Sequence, residues 1–146
     1  MLLPLLFAQT TQAAYPDKPI RLIAPFAPGG NIDITARTVA PGMSAELGQT
    51  VVVENRGGAG GRIGTEMVAK AAPDGYTLLL GSSGSLTVNP AFSTVAAYDP
   101  VKDFVATSSV SIVPIALVTH PSLPVKTAQE FIALAKAKPR TITMAS

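Results

Sequence analysis

Ile20-Arg21-Leu22-Ile23-Ala24-Pro25-Phe26-Ala27-Pro28-Gly29-Gly30-Asn31 is the stretch whose reading decides the fold. An apolar run meets a Pro/Gly turn, and beyond it Ile32, Ala36, Val39, Ala40, Met43 and Leu47 recur at helical spacing. The pattern predicts a strand, a tight turn and a helix. Asn31 is the expected N-cap, and Asp33 with Arg37 makes an i,i+4 pair. Pro41-Gly42 falls inside the helical pattern and should kink the helix or split it. Val51-Val52-Val53 follows as a continuous β-branched run, as expected of a strand buried on both faces of a parallel sheet.

The same alternation continues outward. Gly57-Gly58-Ala59-Gly60-Gly61 reads as a loop, and Gly64, Met67, Val68 and Ala71 mark one face of a second helix. Arg62, Glu66 and Lys70 form an i,i+4 ladder on another face. Pro73-Asp74-Gly75 is a turn, and Thr77 to Leu80 a third strand. A small-residue loop, Gly81 to Ser85, precedes a short helix near Asn89 to Phe92. Further strands are expected at Val105 to Val110, Ile115 to Thr119 and Thr141 to Met144. Thr127-Ala128-Gln129-Glu130 is a capping box opening a helix with Ala128, Phe131, Ile132 and Ala135 on one side. Strand–helix alternation defines an α/β protein with a parallel sheet. The chain stops at Ser146 just after a strand start, which reads as a fragment of a longer fold.

Composition excludes whole classes. The 146 residues suit about one domain. With 47% hydrophobic and 14% charged residues, disorder is not expected. Eleven basic against nine acidic residues leave a net charge of +2, and no basic stripe marks a nucleic-acid partner. There is no cysteine and one histidine, His120, so neither a thiolate site nor a histidine metal cluster can form. Residues 1–14 read as the back end of a secretory signal, an apolar run ending in small residues before Tyr15. Its positive front region is missing. The run is too short to span a bilayer, and Ser, Thr and Pro interrupt the apolar stretch from Phe104 to Val125.

In an open parallel sheet, ligands bind beyond the carboxyl ends of the strands. Three loops lie there. Ala27-Pro28-Gly29-Gly30-Asn31 bares backbone N–H groups before a helix N-terminus, a setting that favours an anion. Asp33 opposes an anionic ligand there. It could receive a ligand hydroxyl or amine, or stabilise the first turn. Ala59-x-Gly61-x-x-Gly64 approximates a dinucleotide fingerprint, but no acidic residue ends the following strand, and no Walker A motif is present. Gly81-Ser82-Ser83-Gly84-Ser85 approaches a nucleophile elbow without its last glycine. A serine hydrolase would need His120 as its base, and that residue reads as structural. Ser82, Ser83 and Asn89 are better taken as polar walls for a ligand. The residues favour a binding protein for a small anionic solute over an enzyme, with no cofactor and no metal.

The motifs also carry a family resemblance. They are Tyr15-Pro16-Asp17-Lys18-Pro19-Ile20-Arg21, Pro25 to Gly30 with Asp33, Val51-Val52-Val53-Glu54-Asn55-Arg56, Gly60-Gly61 with Ile63-Gly64, and Pro73-Asp74-Gly75-Tyr76-Thr77-Leu78. Tyr98-Asp99-Pro100 through Phe104, and His120-Pro121-Ser122-Leu123-Pro124, continue them. From about Tyr15 to Ser146 the chain resembles the periplasmic solute-binding component of tripartite tricarboxylate transporters, the Bug (Bordetella uptake gene) family. The resemblance implies a periplasmic-binding-protein-like fold of type II, the Venus flytrap, with two α/β lobes closing on a small carboxylic acid. It is incomplete here. Residues 15–104 would form the first part of lobe 1, and 105–146 the crossover and the start of lobe 2. The family's first ligand-holding pincer loop falls on Ala27 to Asn31, and the second would begin at Ser146. The implied function is capture of a di- or tricarboxylate or related acid by an exported monomer, for delivery to the transporter's membrane subunits. The alternatives are an NAD-type nucleotide-binding domain of an enzyme, or a non-functional truncated remnant. Pro41-Gly42 and the serine-rich stretch Phe104 to Ser111 depart from the family pattern.

Overall fold

A computed structural model describes residues 14–92, 97–114, 116–139 and 141–143. The chain divides into two compact units, Met1–Val110 and Ser111–Ser146. In the first unit, β1 (Ile20–Ala24), α1 (Asn31–Leu47), β2 (Val51–Asn55), α2 (Arg62–Ala69), β3 (Thr77–Leu79) and α3 (Asn89–Phe92) follow in order. The sheet is parallel with order β2-β1-β3. The first strand in sequence therefore sits at the centre. Ile20 pairs with Val51, and Leu22 with both Val53 and Leu78.

Side chains alternate across β1, and each face takes a different helix. Ile20, Leu22 and Ala24 pack with Ala36 and Ala40 of α1, with Val51 and Leu80 completing the cluster. α2 lies against β1 and β3. Thr65, on α2, is fully buried, and its hydroxyl donates to the Gly61 carbonyl at 2.8 Å. β2 departs from expectation. Val51 is buried, but Val52 is 42% exposed, because β2 is an edge strand rather than one enclosed on both faces. That face also carries the ion pair of Arg21 Nε with Glu54 Oε1 at 2.7 Å, which Arg56 joins at 2.8 Å.

α1 runs unbroken through Pro41, so the proline does not split it. Pro41 removes one amide donor, and neighbouring bonds hold the helix together. Ser44 Oγ donates to the Ala40 carbonyl at 2.8 Å and accepts the Val51 N–H at 2.9 Å, tying the C-terminal half of α1 to the start of β2. The helix ends at Gly48, whose φ of +66° is the left-handed cap that glycine adopts without strain.

The N-terminal segment is fastened at the end of the sheet opposite the strand-end loops. Tyr15 OH donates to the Gly75 carbonyl at 2.9 Å, Tyr76 OH donates to Asp17 Oδ1 at 2.5 Å, and the two tyrosine rings meet edge-on at 5.0 Å. Lys18 caps the Tyr76 ring at 4.2 Å. Residues 1–13, which hold nearly all of the expected signal remnant, lie outside the described residues.

Described by itself, the second unit contains α4 (Ala128–Ala137). Half of the expected capping box forms at the N-cap Thr127, and the return bond goes one residue earlier, to Lys126. Thr127 Oγ1 accepts the Glu130 N–H at 3.2 Å, while Glu130 reaches back to the Lys126 N–H at 2.6 Å. Phe131, Leu134 and Ala135 are its half-buried positions, whereas Ala128 and Ile132 are exposed, so the packed face is rotated from the expected one. The strands expected at Val105 to Val110, Ile115 to Thr119 and Thr141 to Met144 are not formed among the described residues. A strand needs a neighbour to complete its hydrogen-bond ladder, and the second unit contains no described strand. Ile115 and Met144 themselves lie outside the described residues.

Candidate functional site

The loop from Pro25 to Gly30 leaves the carboxyl end of the central strand, so both neighbouring strand-end loops can support it. Pro25 is buried, and Ala27, Pro28, Gly29, Gly30 and Asn31 are all exposed. Gly29 has a φ of +81°, which suits glycine and turns the chain toward the helix. The N-cap is Gly30, not Asn31. Gly30 is extended (φ −77°, ψ 169°), its carbonyl accepts the first helical bond from Ile34 at 3.0 Å, and Asn31 is the first helical residue. No side chain caps this end in the usual sense. The N–H groups of Gly30, Asn31, Ile32 and Asp33 therefore have no intrahelical partner.

Asp33 explains how the loop is held. Its side chain is buried although it sits in the first turn of α1. Oδ2 accepts the Gly29 N–H at 2.8 Å, and Oδ1 accepts Arg37 Nε at 2.9 Å. Arg37 Nη2 also donates to Asn55 Oδ1 at 3.0 Å, and Asn55 Nδ2 donates to the Phe26 carbonyl at 3.2 Å. One chain of hydrogen bonds thus joins the last residue of β2, the first two turns of α1 and both ends of the loop. The Gly29 N–H holds the Asp33 carboxyl below its usual range, with burial opposing and Asn55 and Arg37 assisting. Of these partners, sequence reading found the Asp33–Arg37 pair but missed Asn55. Its place at the end of a strand parallel to β1, opposite Ala24, was the available signal.

The glycines of the second loop are occupied by packing. A Cβ on Gly57 would lie 3.2 Å from the Ala27 nitrogen, one on Gly61 2.9 Å from the Phe26 ring, and one on Gly64 2.5 Å from the Arg56 carbonyl. These positions let the Gly57–Gly64 segment press against Pro25 to Ala27 as a buttress. In a dinucleotide fingerprint the glycine at the Gly61 position instead lets the backbone approach a pyrophosphate, whereas here the Phe26 ring stands against it.

The third loop is largely self-satisfied. Ser82 and Ser85 exchange hydrogen bonds: Ser82 N–H to Ser85 Oγ at 3.1 Å, and Ser85 Oγ to the Ser82 carbonyl at 3.2 Å. Ser85 is fully buried, and the buried Tyr98 hydroxyl donates to its carbonyl. The chain then forms a π-helical turn, Gly84–Val88. Asn89 Nδ2 donates to the Gly60 carbonyl at 2.7 Å, so this side chain ties the third loop to the second. Ser83 is exposed, and its hydroxyl takes no hydrogen bond among the described residues. Ser146 lies outside the described residues. His120, in the second unit, is exposed and pairs locally, its Nδ1 lying 2.7 Å from Ser122 Oγ. Among the described residues, no group of three or more His, Asp or Glu could hold a metal. No described helix is long and apolar enough to cross a membrane.

A parallel α/β sheet with exposed, glycine-rich loops at its strand ends is the architecture of a periplasmic-binding-protein lobe, and solved structures of that class match it. A Rhodopseudomonas palustris protein solved with adipate superposes with a TM-score of 0.80 at 35% identity, over 88% of this chain and 43% of that one. Malate-bound MatC from Rhodopseudomonas palustris gives 0.76 at 35% identity, over 84% of this chain and 42% of that one. Residues 35–146 match the tripartite tricarboxylate transporter family receptor, and the chain belongs to that family. Protein BugT of Bordetella pertussis is 45% identical over 139 residues, which are 94% of this chain and 43% of that protein. The chain thus spans less than half the length of the relatives it matches.

Proposed function

We propose that this chain carries the first ligand-holding loop of a periplasmic receptor that captures a small carboxylic acid for a tripartite transporter, and that it performs no catalysis. The single observation that carries the reading is the exposed Ala27–Asn31 loop. It opens onto the N-terminus of a 17-residue helix, where the N–H groups of Gly30, Asn31, Ile32 and Asp33 have no intrahelical partner. Backbone N–H groups at a helix N-terminus bind carboxylates by hydrogen bonding, reinforced by the aligned peptide dipoles. The Ser83 hydroxyl supplies a neutral donor or acceptor nearby in the sequence of strand-end loops, while Ser82 and Asn89 shape the wall through the bonds they make inside the protein. Adipate and malate, bound by the two R. palustris neighbours, set the size of ligand to try first. Export to the periplasm, a monomeric state and delivery to membrane subunits belong to the same reading.

The test is a thermal-shift and calorimetric screen of the complete protein against C4 to C6 mono-, di- and tricarboxylates, with NAD in parallel. A carboxylate present at 100 times its Kd should stabilise the protein by about 2.7 kcal/mol. Stabilisation by NAD and by no carboxylate would reverse the reading in favour of a nucleotide-binding domain.

A further inference from the structure

β2 is the outermost described strand on its side of the sheet, and the ladder to β1 fixes which of its backbone groups point away. Ile20 N–H donates to the Thr50 carbonyl and Arg56 N–H to the Ala24 carbonyl, both at 2.9 Å. Between them the register runs unbroken from Ile20 opposite Val51 to Ala24 opposite Asn55. Alternate residues of β2, namely Val51, Val53 and Asn55, therefore turn their N–H and C=O groups outward. Ser44 Oγ takes the Val51 N–H. The Val51 carbonyl, both groups of Val53 and the Asn55 N–H have no partner among the described residues. We propose that this edge is a docking site for an extended segment of another protein. That segment alternates small apolar and uncharged polar residues and carries an acidic residue where it passes Arg56. The proposal does not depend on the carboxylate reading above.

Three observations carry it. First, the edge is undefended. Native edge strands are commonly blunted by proline, by lysine or by a bulge, and Val51–Asn55 has none of these. Its one charged side chain, Glu54, is already held by Arg21 Nε at 2.7 Å and by Arg56 Nη2 at 2.8 Å. Second, one side of the edge is a groove. Arg37, Ala40, Pro41, Ser44, Val51 and Val53 line a hollow of ≈ 330 Å³ between α1 and β2. Most of that lining is aliphatic, so the hollow suits small apolar side chains. Third, the other side carries unmatched positive charge. Two guanidiniums, Arg21 and Arg56, share the single Glu54 carboxylate, and the Arg56 side chain is 51% exposed. An extended partner directs alternate side chains to these two sides. In antiparallel pairing, the residue opposite Val53 exchanges both backbone bonds with it and lies on the groove side. The residue opposite Arg56 is three positions away and so lies on the charged side, where a carboxylate meets the surplus arginine.

The experiment titrates the complete protein with a blocked Glu-Val-Thr-Val-Thr-Val-Thr peptide, followed by amide NMR. Paired antiparallel to β2, this peptide sets its Glu against Arg56 and its middle Val against Val53. The Val53 and Asn55 amides should shift strongly, and those of Val52 and Glu54, which face β1, little. A peptide with Lys in place of the Glu should bind about twofold to fivefold more weakly, the scale of one exposed ion pair. Arg56→Glu should reverse that preference; should this variant fail to fold, the two peptides on the wild type decide. Unshifted Val53 and Asn55 amides at millimolar peptide overturn the proposal, as do shifts without the alternation or equal affinity for both peptides. Hydrogen exchange of the peptide-free protein supplies a separate check. Val53 and Asn55 should exchange fast. Slow exchange there would mean that another part of the same chain, or a second copy, already covers the edge, and the proposal would fall.

Discussion

Two glycines in helices should respond to alanine with opposite signs. Gly64 lies in α2, where a Cβ would stand 2.5 Å from the Arg56 carbonyl oxygen and 2.9 Å from Pro25 Cα. Both obstacles are backbone, so neither can swing aside as a long side chain would. Overpacking of this kind destabilises by about 1–3 kcal/mol, and unyielding neighbours put Gly64 near the upper end. Alanine returns about 1 kcal/mol through its better helix propensity. The net expectation for Gly64→Ala is a loss of about 2 kcal/mol. Gly42 lies in α1 with nothing within 4 Å of its Cβ position and is exposed. Gly42→Ala should collect the propensity term alone, a gain of about 1 kcal/mol. At roughly 2–4 °C per kcal/mol, the melting temperature of G64A should fall by about 4–8 °C and that of G42A should rise by about 2–4 °C. Urea unfolding and a thermal melt of each variant in the complete protein measure both. If G64A proves as stable as wild type, Gly64 is not a close-packing glycine and the buttress account of the second loop is wrong.

Other expectations can be checked on the same samples. Pro41→Ala should stabilise α1 by about 1–3 kcal/mol by restoring the amide that can reach the Arg37 carbonyl, read from the urea midpoint. Tyr98→Phe should cost about 1–2 kcal/mol, since it strips the buried Ser85 carbonyl of its donor; an unchanged midpoint would show that water replaces the hydroxyl. Hydrogen bonds from Arg21, then from Arg56, lower the Glu54 pKa from 4.5 to about 2. Because the folded-state pKa is the depressed one, this contribution is present in full above about pH 4.5. It fades as the pH falls toward 2, so the pH dependence of unfolding in that window should flatten in Glu54→Gln. Allowing for screening around a partly exposed cluster, about 1 kcal/mol is at stake.

Much of the first unit was legible because its signals are local. The β1 apolar run, the helical spacing from Ile32 to Leu47 and the Pro73-Asp74-Gly75 turn each declare themselves within a few residues. What escaped was relational. Val51 to Val53 reads the same in a central strand and at an edge, and only pairing with β1 places it at the edge. Asn31 is a good N-cap by residue type. Gly30 takes that place because the Asp33 carboxylate already reaches past Asn31 to the Gly29 N–H. The buttress glycines resemble a nucleotide motif because both uses demand a missing Cβ, and a sequence does not say what fills the space. Asn55 was overlooked for a similar reason, since its two partners, Phe26 and Arg37, are 29 and 18 residues away.

The central position of β1 also bears on how the chain acquires its structure during synthesis. Of the three described strands β1 emerges first, yet its two neighbours arrive much later, with Leu22 pairing first to Val53 and then to Leu78. A nascent chain shorter than about Thr77 holds β1 with one hydrogen-bonding edge bare. Parallel pairings of long sequence separation form slowly, because the intervening loop must close before any contact rewards it. The amino-terminal half therefore folds late relative to its synthesis. Through that interval the Ile20-Arg21-Leu22-Ile23 strand keeps one edge of unpaired N–H and C=O groups.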